Sequence, residues 1–135
     1  MVKKIGAAIA VGIVLHSAPA LTLTKDDELA RDAAVQWLQL VAAGRFEEAA
    51  SQGSTEARSF DQWRDYFTAN RTRLGRVNRR ELIEIKHRPT FPSAFQVRRY
   101  YVLRFKGPFE HRSQIEEIVL AKIGCCWEIF EYRVE

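Results

Sequence analysis

Cys125 and Cys126 stand side by side and are the only cysteines in the chain. Thiol redox chemistry favours a Cys-x-x-Cys spacing at a helix N-terminus, which lowers the thiol pKa. Neither feature is present, so no active site is assigned to the pair. Neighbouring Cα atoms lie ~3.8 Å apart, short of the ~4.4–6.8 Å that suits a relaxed disulfide. If Cys126 enters a strand, alternation also sends the two sulfurs to opposite sides. The residues favour free thiols first, an intermolecular bridge second, and a bond between the neighbours last.

Arg99 is the second candidate. In the series Phe95, Val97, Arg99, Tyr101, Leu103, Phe105 it is the one charged member, so a regular strand aims it inward. A buried guanidinium needs a carboxylate or a bound anion, because an unpaired buried charge costs several kcal/mol. The functional reading is a pocket for a small anionic ligand, with Arg99, Tyr66 and Tyr101 as its binding residues. The bland readings are a bulge near Arg98 that turns the side chain outward, or pairing with an internal acid such as Glu117.

General acid–base chemistry would need a desolvated carboxylate or His opposite a Tyr or acid that stabilises an oxyanion. Asp61, Asp65, Tyr66, Tyr100 and Tyr101 are the groups available for it. Asp61 and Asp65 flank Trp63 near a helix start, however, where acids ordinarily complement the dipole. Outside the first twenty residues there are two histidines, His87 and His111, far apart and without ligand spacing; they point to no metal and no cofactor. A phosphate loop, a G-x-S-x-G elbow and a recognisable triad are all missing. Asn70-Arg71-Thr72 has the form of a glycosylation sequon but falls in an expected helix.

These groups must be held by elements whose signals are clear. Thr24 with Asp26, Asp27 and Glu28 reads as a helix start. Leu29, Ala33, Trp37, Leu40 and Val41 follow at helical spacing, with Ala30, Ala34 and Leu38 widening the stripe, and Gly44 ends it. Phe46, Ala49 and Ala50 suggest a short second helix closed by Gly53-Ser54. Ser59 and Gln62 form a capping box for a third, along which Trp63, Phe67 and Leu74 align until Gly75.

Then the period changes to two. Ile83 and Ile85 mark a first strand ending near Pro89, and residues 95–105 a long second one. Lys106-Gly107-Pro108 reads as a turn, with strands at 113–122 and 127–134 beyond it. Helices first and antiparallel strands last is an α+β order, with helices on one face of a curved sheet of about four strands. The even-numbered Tyr100 and Val102 then lie on the uncovered face, a patch suited to a homodimer through the outer sheet face.

The chain has 135 residues, enough for one core and too few for two. Lys3 and Lys4, an apolar run from Ile5 to Leu15 and the ending Ala18-Pro19-Ala20 read as a signal peptide over residues 1–20, cleaved before Leu21. The run is eleven residues, short of the roughly 20 that span a bilayer. The expected product is one domain over residues 21–135, periplasmic or secreted, with no membrane span.

The formal charge of +4 includes the two leader lysines. The remaining balance is too small to argue for nucleic acid. Residues 58–112 carry fourteen basic and five acidic side chains, between two acidic ends. Either an anionic partner or the protein's own ends can answer that excess. The run Arg71, Arg73, Arg76, Arg79, Arg80 lacks interleaved aromatics to stack on bases and reads as a solvated helix end.

The stretch Ala33-Ala34-Val35-Gln36-Trp37-Leu38-Gln39-Leu40-Val41-Ala42-Ala43-Gly44-Arg45-Phe46 resembles the opening of the bacterial family called domain of unknown function 4019. Trp63, Leu74-Gly75, Tyr101-Val102, Glu117, Trp127 and Tyr132 continue the likeness in order, over residues 29–134. The resemblance implies three helices in a cone against a strongly bent sheet, the cystatin-like fold shared with nuclear transport factor two. It also implies small exported proteins, and it carries over no catalytic residue. Cys125-Cys126 departs from the family's usual acidic-glycine turn. The expected function is non-catalytic binding of a partner or small ligand. The alternative is an isomerase- or dehydratase-like enzyme with a carboxylate inside the cone.

Overall fold

The computed structural model describes residues 21–74, 79–92, 96–108 and 113–135. The leader, the Gly75 helix stop, Phe95 and His111 lie outside the described residues. Among the described residues, three helices, α1 (Lys25–Ala42), α2 (Phe46–Ser51) and α3 (Phe60–Leu74), precede four strands. These are β1 (Glu81–Arg88), β2 (Tyr100–Pro108), β3 (Ser113–Ile123) and β4 (Cys126–Val134). The strands form one open antiparallel sheet in the order β1-β2-β3-β4. The architecture is α+β. Among the described residues, no helix is long and apolar enough to cross a membrane.

Local chemistry sets the helix ends. Thr24 caps α1 through a reciprocal box: its hydroxyl accepts from the Asp27 N–H, and the Asp27 carboxylate accepts from the Thr24 N–H, both at 3.1 Å. Ser59 and Gln62 do the same for α3. Gly44 follows α1 with φ 77°, the left-handed conformation that glycine tolerates best. The buried stripe of α1 is Ala30, Ala34, Trp37, Leu38 and Val41, with Leu29 turned to solvent. Trp37 is the hub: its ring meets Trp63, Phe67 and Tyr132 edge-on, and its indole N–H donates to the Ala49 carbonyl at 2.9 Å.

The helix-side core closes on Tyr101, Leu103, Phe105, Ile118, Leu120, Ile129 and Tyr132 of the sheet. In β1 the inward positions are Leu82 and Ile85. Ile83 is a bulge residue without a partner across the ladder, which shifts the phase by one and leaves it 37% exposed. A second irregularity in β4 places Phe130 between the residues paired to Leu120 and Val119. The free edge of β4 is protected by its own chain. Ser54 donates to the Ile129 carbonyl at 2.7 Å, and Ile129 donates to the Gln52 carbonyl at 3.0 Å.

Two expectations about β2 are corrected. The strand begins at Tyr100 and runs through Lys106-Gly107-Pro108, which pair with β3, Lys106 with β1 as well, rather than turning. Residues 96–99 lie outside the strand: the ladder to β1 ends at Arg88 opposite Tyr100, and the ladder to β3 ends at Leu120 opposite Tyr101, although β3 itself runs on to Ile123. Alternation in sequence does not by itself make a strand; the ladder hydrogen bonds must continue, and here they stop at Tyr100.

The second face of the sheet is also covered. Tyr100, Val102, Val119, Ala121 and Phe130 form a second buried cluster under Phe91 from the β1–β2 connection. Tyr100 is 0% and Val102 3% exposed. The exposed patch expected to support a sheet-to-sheet homodimer is therefore not on the surface. The chain itself occupies it.

Candidate functional site

The end of β1 and the approach to β2 border an open surface cavity of about 310 Å³, lined by His87, Arg88, Pro89, Val97, Arg98 and Arg99. Its position follows from the topology. Where β1 leaves the sheet at Pro89, the chain crosses the outer face and returns at Arg98, whose N–H donates to the Pro89 carbonyl at 3.1 Å. Val97, released from any strand, is 77% exposed.

One wall is anchored through His87. Its Nε2 lies 2.7 Å from Oδ1 of Asp27, which is buried at the start of α1. Burial pushes the Asp27 carboxyl up, but hydrogen bonds from the Thr24 N–H and from His87 outweigh it, and the net shift is downward from 3.8. An ionised carboxylate only accepts, so Nε2 carries the proton. The His87 ring meets Tyr101 edge-on at 4.8 Å, and Tyr101 in turn meets Trp127 at 5.4 Å.

The pH consequence has a definite sign. A carboxyl whose pKa is lowered on folding adds stability above its ordinary value, and that contribution fades as pH falls through the folded value. Asp27→Asn is expected to cost about 1–2 kcal/mol at pH 7, the usual cost of losing a helix cap and a charged hydrogen bond. Urea titrations should show that difference shrinking below pH 3.8. A constant difference down to pH 2.5 would contradict it.

The other wall is cationic. Arg99 is exposed, which corrects the expectation that a regular strand aims it inward and agrees with the alternative of an outward turn; the alternative pairing with Glu117 is not formed. Glu117 pairs instead with Arg133. A side-chain hydrogen bond with Tyr101, then the charges of Asp26 and Asp27, raise the Arg99 pKa. Arg88 is exposed and forms no ion pair with a described residue. Arg98 is held more tightly: Nη2 donates to Gln96 at 2.7 Å and Glu56 at 3.3 Å, over the rings of Tyr100 and Phe130. Its Nη1 is buried with no hydrogen-bond partner among the described residues.

Of the three expected binding residues, the structure brings Arg99 and Tyr101 together and gives Tyr66 other company. Tyr66 packs edge-on to Tyr132 at 6.2 Å, under the Arg58 guanidinium at 4.4 Å. Asp61 and Asp65 are at the surface beside Arg64, and Tyr100 is buried on the opposite face of the sheet. Cys125 and Cys126 are bonded to each other, which overturns the order that placed free thiols first. The alternation argument fails because only Cys126 belongs to the strand; Cys125 is a loop residue. Among the described residues, no three His, Cys, Asp or Glu side chains converge as a metal site.

One buried constellation went unread in sequence. Glu116 is 0% exposed on the helix side of β3, in phase with Ile118 and Leu120. Arg80 donates to it through Nε at 2.6 Å and Nη2 at 3.3 Å, and the Tyr132 hydroxyl donates at 2.5 Å. Arg80 is thus no part of a solvated helix end. Burial and the Glu116 charge push the Tyr132 phenol well above its ordinary value, so it remains a neutral donor. The signal was masked because β3 is covered on both faces, which leaves apolar residues in both phases and hides which acid points inward.

Fold and groove together define an α+β domain: helices on one face of an open four-stranded antiparallel sheet, with an open, arginine-lined cavity where β1 hands over to β2. The chain belongs to the family of proteins of unknown function DUF4019, whose model matches residues 33–132. No curated protein and no solved structure matches it.

Proposed function

We propose that the protein is an exported, non-catalytic domain of cystatin-like shape that binds a small organic anion in the groove of His87, Arg88, Arg98 and Arg99. The observation that carries this reading is that three arginines, Arg88, Arg98 and Arg99, line one open cavity of about 310 Å³. Guanidinium forks suit carboxylate and phosphate oxygens, and such charge-assisted hydrogen bonds are stronger than neutral ones. Pro89 and Val97 supply an apolar wall for the rest of the ligand. The signal-like leader and the family resemblance support export, and the two β-bulges suit a bent sheet.

The enzymatic alternative needs a free carboxylate base facing a pocket. Asp27 and Glu116 are the buried acids among the described residues: Thr24 and His87 engage Asp27, and Arg80 and Tyr132 engage Glu116. That arrangement favours a structural anion over a proton acceptor and so supports the binding reading.

Calorimetric titration of residues 21–135 with inorganic phosphate and with benzoate is the test. Arg88→Ala and Arg99→Ala are each expected to weaken binding roughly 10-fold or more, as loss of a charge-assisted hydrogen bond does. Added salt should weaken binding further. Binding of neither probe, or equal binding by the double variant, would overturn the proposal.

A further inference from the structure

The tip of the β3–β4 hairpin carries chemistry of its own. The Cys125 and Cys126 sulfurs are bonded, and both residues are exposed. The ladder closes at Ile123 opposite Cys126, so Gly124 and Cys125 are the two loop residues. Gly124 has φ 63°, the positive value that tight hairpin loops require. Among the described residues, none beyond its chain neighbours comes within 4 Å of the place where its Cβ would stand, so the tip opens outward.

A disulfide stabilises a fold chiefly by closing a long loop in the unfolded chain. This one links consecutive residues and closes almost none. The hairpin is held without it by the β3–β4 ladder from Glu116–Val134 to Ile123–Cys126. The bond is therefore free to open and close while the domain stays folded, and both cysteines are exposed residues.

We propose that Cys125–Cys126 is a thiol–disulfide exchange site for low-molecular-weight thiols. A small thiolate attacks one of the two sulfurs, forms a mixed disulfide and breaks the Cys125–Cys126 bond. The released cysteine thiolate takes up the proton that the small thiol lost. A second small thiolate then attacks the small-molecule sulfur of the mixed disulfide. Two small thiols leave as one disulfide, and the protein's disulfide is reduced to two thiols. The reverse sequence reoxidises the pair with a small-molecule disulfide.

The test is native-state alkylation with iodoacetamide and intact mass, on residues 21–135 across a series of reduced and oxidised glutathione. The protein in oxidised buffer should take no label. Reduced glutathione should expose both thiols to labelling, and returning the unlabelled protein to oxidised glutathione should close them again. The thermal midpoint should stay within about 2 °C throughout, as for the Cys125→Ser/Cys126→Ser double variant. Labelling without any reductant, a mass that never changes, or a disulfide-linked dimer would each overturn the proposal. So would a midpoint that falls by more than about 10 °C on reduction, since the bond would then be a staple of the fold.

Discussion

Glu116→Ala is expected to destabilise the domain by about 3–5 kcal/mol, the range for removing one partner of a buried ion pair. The variant leaves Arg80, whose side chain is 13% exposed, without its carboxylate, and leaves the Tyr132 hydroxyl without its acceptor. In a domain of this size that loss should lower the thermal midpoint by roughly 10–20 °C, followed by circular dichroism. Tyr132→Phe should cost less, about 1.5–3 kcal/mol, because only one hydrogen bond to a charged group is lost. Replacing both charges together, as Arg80→Met with Glu116→Leu, should recover much of the loss, since no buried charge is then stranded. A Glu116→Ala midpoint within about 3 °C of the parent would show that water already reaches this cluster.

The second large effect is steric. A Cβ built at Gly53 would lie 2.4 Å from Nε1 of Trp63 and 2.6 Å from both Cδ1 and Cε2. Trp63 cannot retreat. It is 0% exposed, lies 5.6 Å from Phe67 and 6.3 Å from Trp37 between ring centres, and donates its indole N–H to the Ser54 carbonyl at 3.2 Å. Gly53 cannot retreat either, because the hydrogen bonds of Gln52 and Ser54 to Ile129 tie its segment to the edge of β4. Gly53→Ala should therefore cost about 3 kcal/mol, the upper part of the range for overpacking a dense core. The atoms that clash belong to the five-membered ring of the indole, so Trp63→Phe removes them. The pair of substitutions together should cost clearly less than the sum of each alone. Strict additivity in urea denaturation would mean that the clash is relieved elsewhere.

These two sites differ in how much of them a sequence can reveal. Trp63 announces a core helix by its spacing from Phe67, and Gly53-Ser54 announces a stop. That the glycine is required by contact with that tryptophan depends on how α2 and α3 pack, ten residues apart in sequence. Glu116 was harder to read. Neighbouring Glu117 has the same side-chain type, and both phases of β3 are apolar beyond it. Only the pairing register, Glu116 opposite Phe105 and Glu117 opposite Arg104, decides which acid enters the core.

Local interactions were legible because they are completed within a few residues. The Thr24 and Ser59 caps, the Gly44 exit, the order of three helices and four strands and the hairpin at Gly124 all follow from short-range hydrogen bonding and side-chain sterics. The tertiary structure decided everything that needed a partner from afar. It ended the β2 ladders at Tyr100 and so left Arg99 outside the sheet. It covered Tyr100 and Val102 with Phe91, and set Asp27 against His87 sixty residues on. A strand needs a neighbouring backbone and a buried charge needs a counter-charge. Neither requirement can be met, or seen, from one stretch of sequence.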